Sequence, residues 1–315
     1  MTSLQERLDE YITVRRSLGF GLVGPARSLG RFVAFAESEG RDSITTDLAM
    51  RWATKSARAQ PATWASRLGM VRRFAAWCAT SDPRTEIPPD GLLPYRYRRT
   101  RPHIYSDEEI HRIVAAAGGL PSSTGLRART YATIFGLLAV TGMRLSEVVA
   151  LDRTDVDLEH GIVTVRRSKF GSSRFVPVHP STVEALGAYA AQRDGLVAAP
   201  FTASFFVSEG GARITDCMAR YTFAVVSRRI GLRASAGGYR HGRGPRLHDI
   251  RHRFAVITML DWYRAGVDVE REIPKLSTYL GHVHVNDTYW YIEAVPELLA
   301  FAAARLDNAR EGGRP

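Results

Sequence analysis

Near the end of the chain, the run Leu280–Tyr291, LGHVHVNDTYWY, sets two histidines and two tyrosines within twelve residues. Imidazoles move protons near neutral pH, and a phenol becomes a nucleophile when a base or a cationic field draws off its proton. Three earlier fragments carry complementary chemistry. In TGMRLSE, Arg144 stands three residues before Glu147, so on a helix the two share a face. An oriented guanidinium clamps phosphate well, although a structural ion pair fits the same spacing. In LHDIRH, His248 and Arg251 are one helical turn apart, as a site or as a surface pair. In SKFGSSR, Lys169 sits in a turn, where a solvated charge is the plain reading. It is nevertheless one of only three lysines, with Lys55 and Lys275, among 43 cationic side chains. Lysine can be tuned to give up a proton, and arginine cannot.

His252 and His284 are left over. With His248 and His282 they could be drawn as a zinc cluster, but neither His-x-His nor His-x3-His supplies the glutamate of H-E-x-x-H, and no cysteine joins them. No metal and no cofactor are expected.

The elements that must position these groups fall in two parts. A chain of 315 residues favours two domains. Residues 1–82 read as a helical domain, with Leu4, Leu8, Tyr11 and Ile12, then Leu29, Phe32 and Val33, then Trp64, Leu68, Val71 and Phe74 at helical spacing. The formal G-x-G-x-x-G at 19–24 lacks a preceding strand and is followed by Pro25, so it reads as a helix connection. Residues 83–104, rich in proline and then in interleaved tyrosine and arginine, read as a basic linker suited to a phosphate backbone, or simply as a solvated one. Residues 105–315 open on the capping box Ser106–Glu109. A helix follows over 131–140, then a hairpin of 161–165 and 175–178, a short strand at 204–208, and helices near 215–230, 248–264 and 288–306. In that last helix Tyr289 and Tyr291 point about 200° apart, so both cannot face one phosphate.

A formal charge of +11 and a pI near 10 favour a polyanionic partner. Cys78 and Cys217 lie in unrelated segments, no apolar run reaches membrane-spanning length, and Arg27 and Arg31 spoil any export signal after Arg15-Arg16. A cytoplasmic protein without a membrane partner is expected.

Taken in order, TGMRLSEV, a lysine-bearing hairpin, HDIR and LGHVHVNDTYWY resemble the catalytic domain of the tyrosine recombinases, the phage integrase family, over roughly 103–310. The resemblance implies a mostly α fold with a small β-sheet: a helical core-binding domain and a mixed α+β catalytic domain forming a C-shaped clamp on DNA. It implies Tyr291 as nucleophile, Arg144 and Arg251 on the scissile phosphate, and Lys169 as general acid. His248 and His282 match the two remaining catalytic positions, and Glu147 the supporting carboxylate. Arg96, Arg98, Arg99 and Arg101 in the linker and Arg174 on the hairpin become candidate DNA contacts. Double-stranded DNA and a tetramer on two sites are the implied partners, with an accessory recombinase or host factor left open.

Two departures stand out. Ser172 replaces a second basic residue, and 30 residues separate Arg251 from His282, longer than the commoner spacing. Such lengthening resembles recombinases of transposons and integrative elements. A non-catalytic DNA-binding relative would lack one of the six catalytic residue types, and all six are present. A topoisomerase-like swivelase shares the chemistry, but the amphipathic stretch 296–306 suits docking on a neighbouring subunit as well as packing on its own core.

Overall fold

The computed structural model describes residues 2–57, 59–94, 101–166, 173–197, 202–234, 244–282, 284–294 and 297–299, for 292–294 the backbone alone. The chain divides into two compact units, Met1–Thr100 and Arg101–Pro315. Mostly helical architecture with one small sheet is what the sequence led us to expect.

The first unit packs α1 (Leu4–Ser17), α2 (Val23–Ser38), α3 (Thr46–Thr54) and α4 (Pro61–Cys78) around one core. The residues read at helical spacing meet there: Tyr11 lies 5.5 Å from Phe74, and Phe32 meets Trp52 edge-on at 5.4 Å. Of residues 19–24, the first four lie in the α1–α2 connection and the last two open α2. The first part of the expected linker is bound to this unit. Glu86 accepts from the Thr46 N–H, the Glu86 N–H donates to the Ile44 carbonyl, and Arg72 donates to the carbonyls of Pro88 and Pro89. Arg96, Arg98 and Arg99 lie outside the described residues, and Arg101 is exposed.

The second unit holds α5 (Asp107–Gly118), α6 (Leu126–Thr141), α7 (Leu145–Ala150), β1 (Val156–Asp157), β2 (Ile162–Val165), β3 (Arg174–Pro177), α8 (Pro180–Leu196), α9 (Asp216–Arg229), α10 (Asp249–Arg264), α11 (Val269–Leu280) and α12 (Asn286–Ala294). The sheet is antiparallel in the order β1-β2-β3, with Val165 opposite Arg174 at the end of the hairpin nearest its turn. The 204–208 segment makes only isolated bridges, Asp152 with Ser204 and Val207 with Arg213.

Two helices were absent from the sequence reading. α8 begins at Pro180, which presets the first helical turn after His179. α11 fills the second part of the interval between Arg251 and His282, after the rest of α10, its Val269, Ile273, Leu276 and Leu280 packing on α10 and Tyr291. Pro274 inside it obscures the periodic signal. No helix among the described residues is long and apolar enough to cross a membrane.

Candidate active site

Two helix ends build the site. α6 stops at Gly142 (φ +60°) and α11 at Gly281 (φ +69°), both left-handed, where glycine avoids the steric cost of a Cβ. A Cβ on Gly142 would stand 2.5 Å from the Phe254 ring, so the position also demands a bare backbone. Carbonyls at a helix C-terminus lack intrahelical donors and carry partial negative charge. Here they accept from the two candidate phosphate-binding arginines. Arg251 donates to the carbonyls of Gly142 (2.8 Å) and Leu280 (2.7 Å), and Arg144 to that of Gly281 (2.7 Å). Both guanidiniums are thereby anchored to backbone carbonyls.

Glu147 completes the frame. Its carboxylate accepts from the Arg144 side chain (2.8 Å) and backbone (2.9 Å) and, in bidentate fashion, from Arg174 (3.0 and 2.8 Å). Burial pushes this carboxyl upward, but Arg174 and Arg144 together outweigh it and hold the group below the ordinary range. Arg174, only 11% exposed, ties β3 to α7 and donates to the Tyr279 carbonyl at 2.7 Å. Each of its three guanidinium nitrogens donates to Glu147 or to the Tyr279 carbonyl. The ion-pair reading and the phosphate-clamp reading of Arg144 are compatible, because Glu147 occupies only part of its donor set.

Arg144, Arg251 and His248 line a cavity of about 360 Å³, shared with Ser146, Arg220 and Asp287. That volume admits a phosphodiester. Tyr291 lies alongside Arg251 at 3% exposure, whereas Tyr289 is 40% exposed, as the helical angle between them requires. Burial raises the phenol above its ordinary value, while the charges of Arg251 and Arg144 pull it back. Arg251 is itself lowered to about 10, chiefly by burial, and stays cationic at neutral pH.

His282 directs Nδ1 to the Thr288 hydroxyl at 2.8 Å, leaving Nε2 for another partner. Thr288 went unnoticed in the sequence; its signal is the spacing of three residues that puts it near Tyr291 on α12. Lys169 falls outside the described residues, as does the rest of 167–172; the strand pairing fixes only the stems of its turn. His284 is exposed. Among the described residues no three His, Cys, Asp or Glu side chains converge as metal ligands.

Three neighbouring imidazoles are held low. Burial, then the charge of His248, lowers His252 to about 3; burial, then Arg251, lowers His248 and His282 to about 4. On acidification the unfolded chain takes up these protons first, so the stabilisation is complete above about pH 6.5 and lost as pH falls toward 4. His252 and His282, better buried than the exposed His248, should each cost up to about 2 kcal/mol by pH 5. Urea unfolding at pH 7 and pH 5 checks this. Equal midpoints would contradict it.

Known proteins resemble this chain in sequence and in fold. The model of the phage integrase family matches residues 104–297. The chain is 46% identical to y4rB of Sinorhizobium fredii, provisionally named an integrase/recombinase, over 99% of each chain. It is 31% identical to tyrosine recombinase XerC of Mycobacterium tuberculosis, over 100% of this chain and 99% of that one. Among solved structures, the Tn1549 transposon integrase in complex with circular intermediate DNA has a similar fold, with a TM-score of 0.65 at 18% identity, covering 97% of this chain and 100% of that one.

Proposed function

The chain belongs to the phage integrase family, and from that membership we propose that it is a site-specific DNA recombinase serving a transposon or integrative element, cleaving and religating strands through a 3′-phosphotyrosine intermediate on Tyr291. The observation that carries the assignment is the pair of backbone-anchored guanidiniums, Arg144 and Arg251, on one anion-sized cavity with His248 while Tyr291 lies alongside.

Attack of the Tyr291 oxygen on phosphorus builds negative charge on the non-bridging oxygens. Two fixed guanidiniums aimed there favour that state over the ground state. The phenolic proton leaves to His248, an imidazole kept neutral near pH 7, and His282 Nε2 hydrogen-bonds a phosphoryl oxygen. The bond to the 5′ oxygen breaks, and Lys169 supplies the proton that a 5′ alkoxide needs in order to leave. Because the phosphotyrosine ester keeps the bond energy, the reverse attack by a 5′ hydroxyl rejoins the strand without ATP.

Double-stranded DNA is the partner, gripped in part through Arg96, Arg98, Arg99 and Arg101, and a tetramer on two sites exchanges the strands in the cytoplasm. Since guanidinium and imidazole groups supply the charge, cleavage should proceed fully in EDTA. A strict divalent-ion requirement would sink this mechanism.

The test is covalent trapping on nicked suicide duplexes tiled across the DNA flanking the gene. A denaturant-resistant adduct is the expected product. DNA that is bound yet never joined to the protein would favour a non-catalytic architectural role.

A further inference from the structure

The reaction outlined above gives His252 no task, yet its placement is specific. It follows Arg251 on α10, its side chain is only 8% exposed, and its Nδ1 is buried without a hydrogen-bond partner. Its ring stands edge-on to three others, 4.8 Å from His248, 5.2 Å from Trp290 and 5.2 Å from Tyr291. A buried polar atom left unsatisfied costs free energy comparable to a lost hydrogen bond. Phenylalanine would fill similar space without that cost. An imidazole kept here at a cost to stability points to a contact made in another state of the site.

The neighbouring group with reason to change is the Tyr291 phenol. It is 3% exposed and does not line the cavity that Arg144, His248 and Arg251 share. To attack a phosphate there, its oxygen must turn and its O–H must find an acceptor. The phenol is packed against His252, and burial keeps that imidazole uncharged throughout the neutral range, with a lone pair available on whichever nitrogen lacks the proton. With the ring proton on Nε2, that nitrogen is Nδ1.

We propose that His252 is a positioning residue for the nucleophile: when DNA fills the cavity, its Nδ1 accepts the hydrogen bond of the Tyr291 hydroxyl and turns the phenolic oxygen toward phosphorus. His252 touches neither phosphate nor leaving group. It acts through Tyr291 before the chemical step; as attack proceeds the phenolic O–H leaves Nδ1 and turns to His248, which takes the proton. The inference rests on the recombinase reading given above.

Three substitutions separate this role from simple packing. His252→Asn puts an amide oxygen near the place of Nδ1, His252→Gln near that of Nε2, and His252→Phe fills the space with no acceptor. Single-turnover adduct formation on a suicide duplex should slow on the order of 10²-fold in His252→Phe and His252→Gln, and stay within about tenfold in His252→Asn. Melting temperature and duplex affinity are measured alongside. A second substrate carries sulfur at the bridging 5′ position, whose thiolate leaves without a proton. It should restore Lys169→Ala and leave His252→Phe slow.

A His252→Phe protein that cleaves like the parent overturns the proposal. Equal loss in His252→Asn and His252→Phe, with both still folded, overturns the Nδ1 hydrogen bond. Rescue of His252→Phe by sulfur moves the residue to the leaving-group side and overturns the link to Tyr291. Failure of the parent protein itself to form an adduct would strike the recombinase reading instead.

Discussion

Tyr291→Phe should form no denaturant-resistant adduct on any duplex while binding the same DNA within a few-fold of the parent. The ester that holds the broken strand is made by one phenolic oxygen, and phenylalanine removes that atom alone. The ring is 3% exposed and packs among His252, His282 and Trp290, contacts a phenyl group keeps. Losing the hydroxyl also removes a hydrogen-bond partner of the buried Arg251, so the second unit should lose about 1–3 kcal/mol by calorimetry and remain folded. Duplex affinity comes from cationic contacts to many phosphates, and one neutral phenol adds little to that sum. Tyr289→Phe is the matched control, because its side chain is 40% exposed on another face of α12. An adduct persisting in Tyr291→Phe and vanishing in Tyr289→Phe would move the nucleophile. Equal loss of binding and cleavage in Tyr291→Phe would make the residue structural.

How far the site was legible in the sequence depends on the kind of contact. Side chains that share a helix turn, such as Arg144 with Glu147, are fixed by the 3.6-residue period, and the same arithmetic separated Tyr289 from Tyr291. Contacts between a side chain and a distant carbonyl have no such period. Nothing in the spacing announces that Arg251 will donate to Gly142, 109 residues away, or Arg174 to Tyr279, 105 away. Arg174 therefore looked like a free cation on a hairpin, when its partner was a carboxylate already credited to Arg144. α11 was obscured for a different reason. Its buried residues are interrupted by Glu270, Arg271, Glu272 and Pro274, which read as loop until packing on α10 and Tyr291 outweighs local propensity.

Glu147→Ala should be the most damaging change that leaves every phosphate-contacting residue in place. The carboxylate side chain is 4% exposed and holds Arg174, itself 11% exposed, together with Arg144 at 22%. Removing the shared anion strands one guanidinium in a nearly buried position and frees another. Breaking one side of such a pair costs about 3–5 kcal/mol. For a unit of this size that lowers its melting temperature by roughly 10 °C. Cleavage should fall further than stability explains, because Arg144 keeps only the Gly281 carbonyl to orient it. A double variant separates the two effects. Glu147→Met with Arg174→Leu removes the charge together with its most buried partner, and apolar replacements of a buried ion pair are often close to neutral. Calorimetry on that variant should show most of the stability restored. Adduct formation should stay low, since nothing replaces the carboxylate that aims Arg144. If cleavage recovered along with stability, Glu147 would serve only to neutralise Arg174, and the Gly281 carbonyl alone would suffice to position the phosphate clamp.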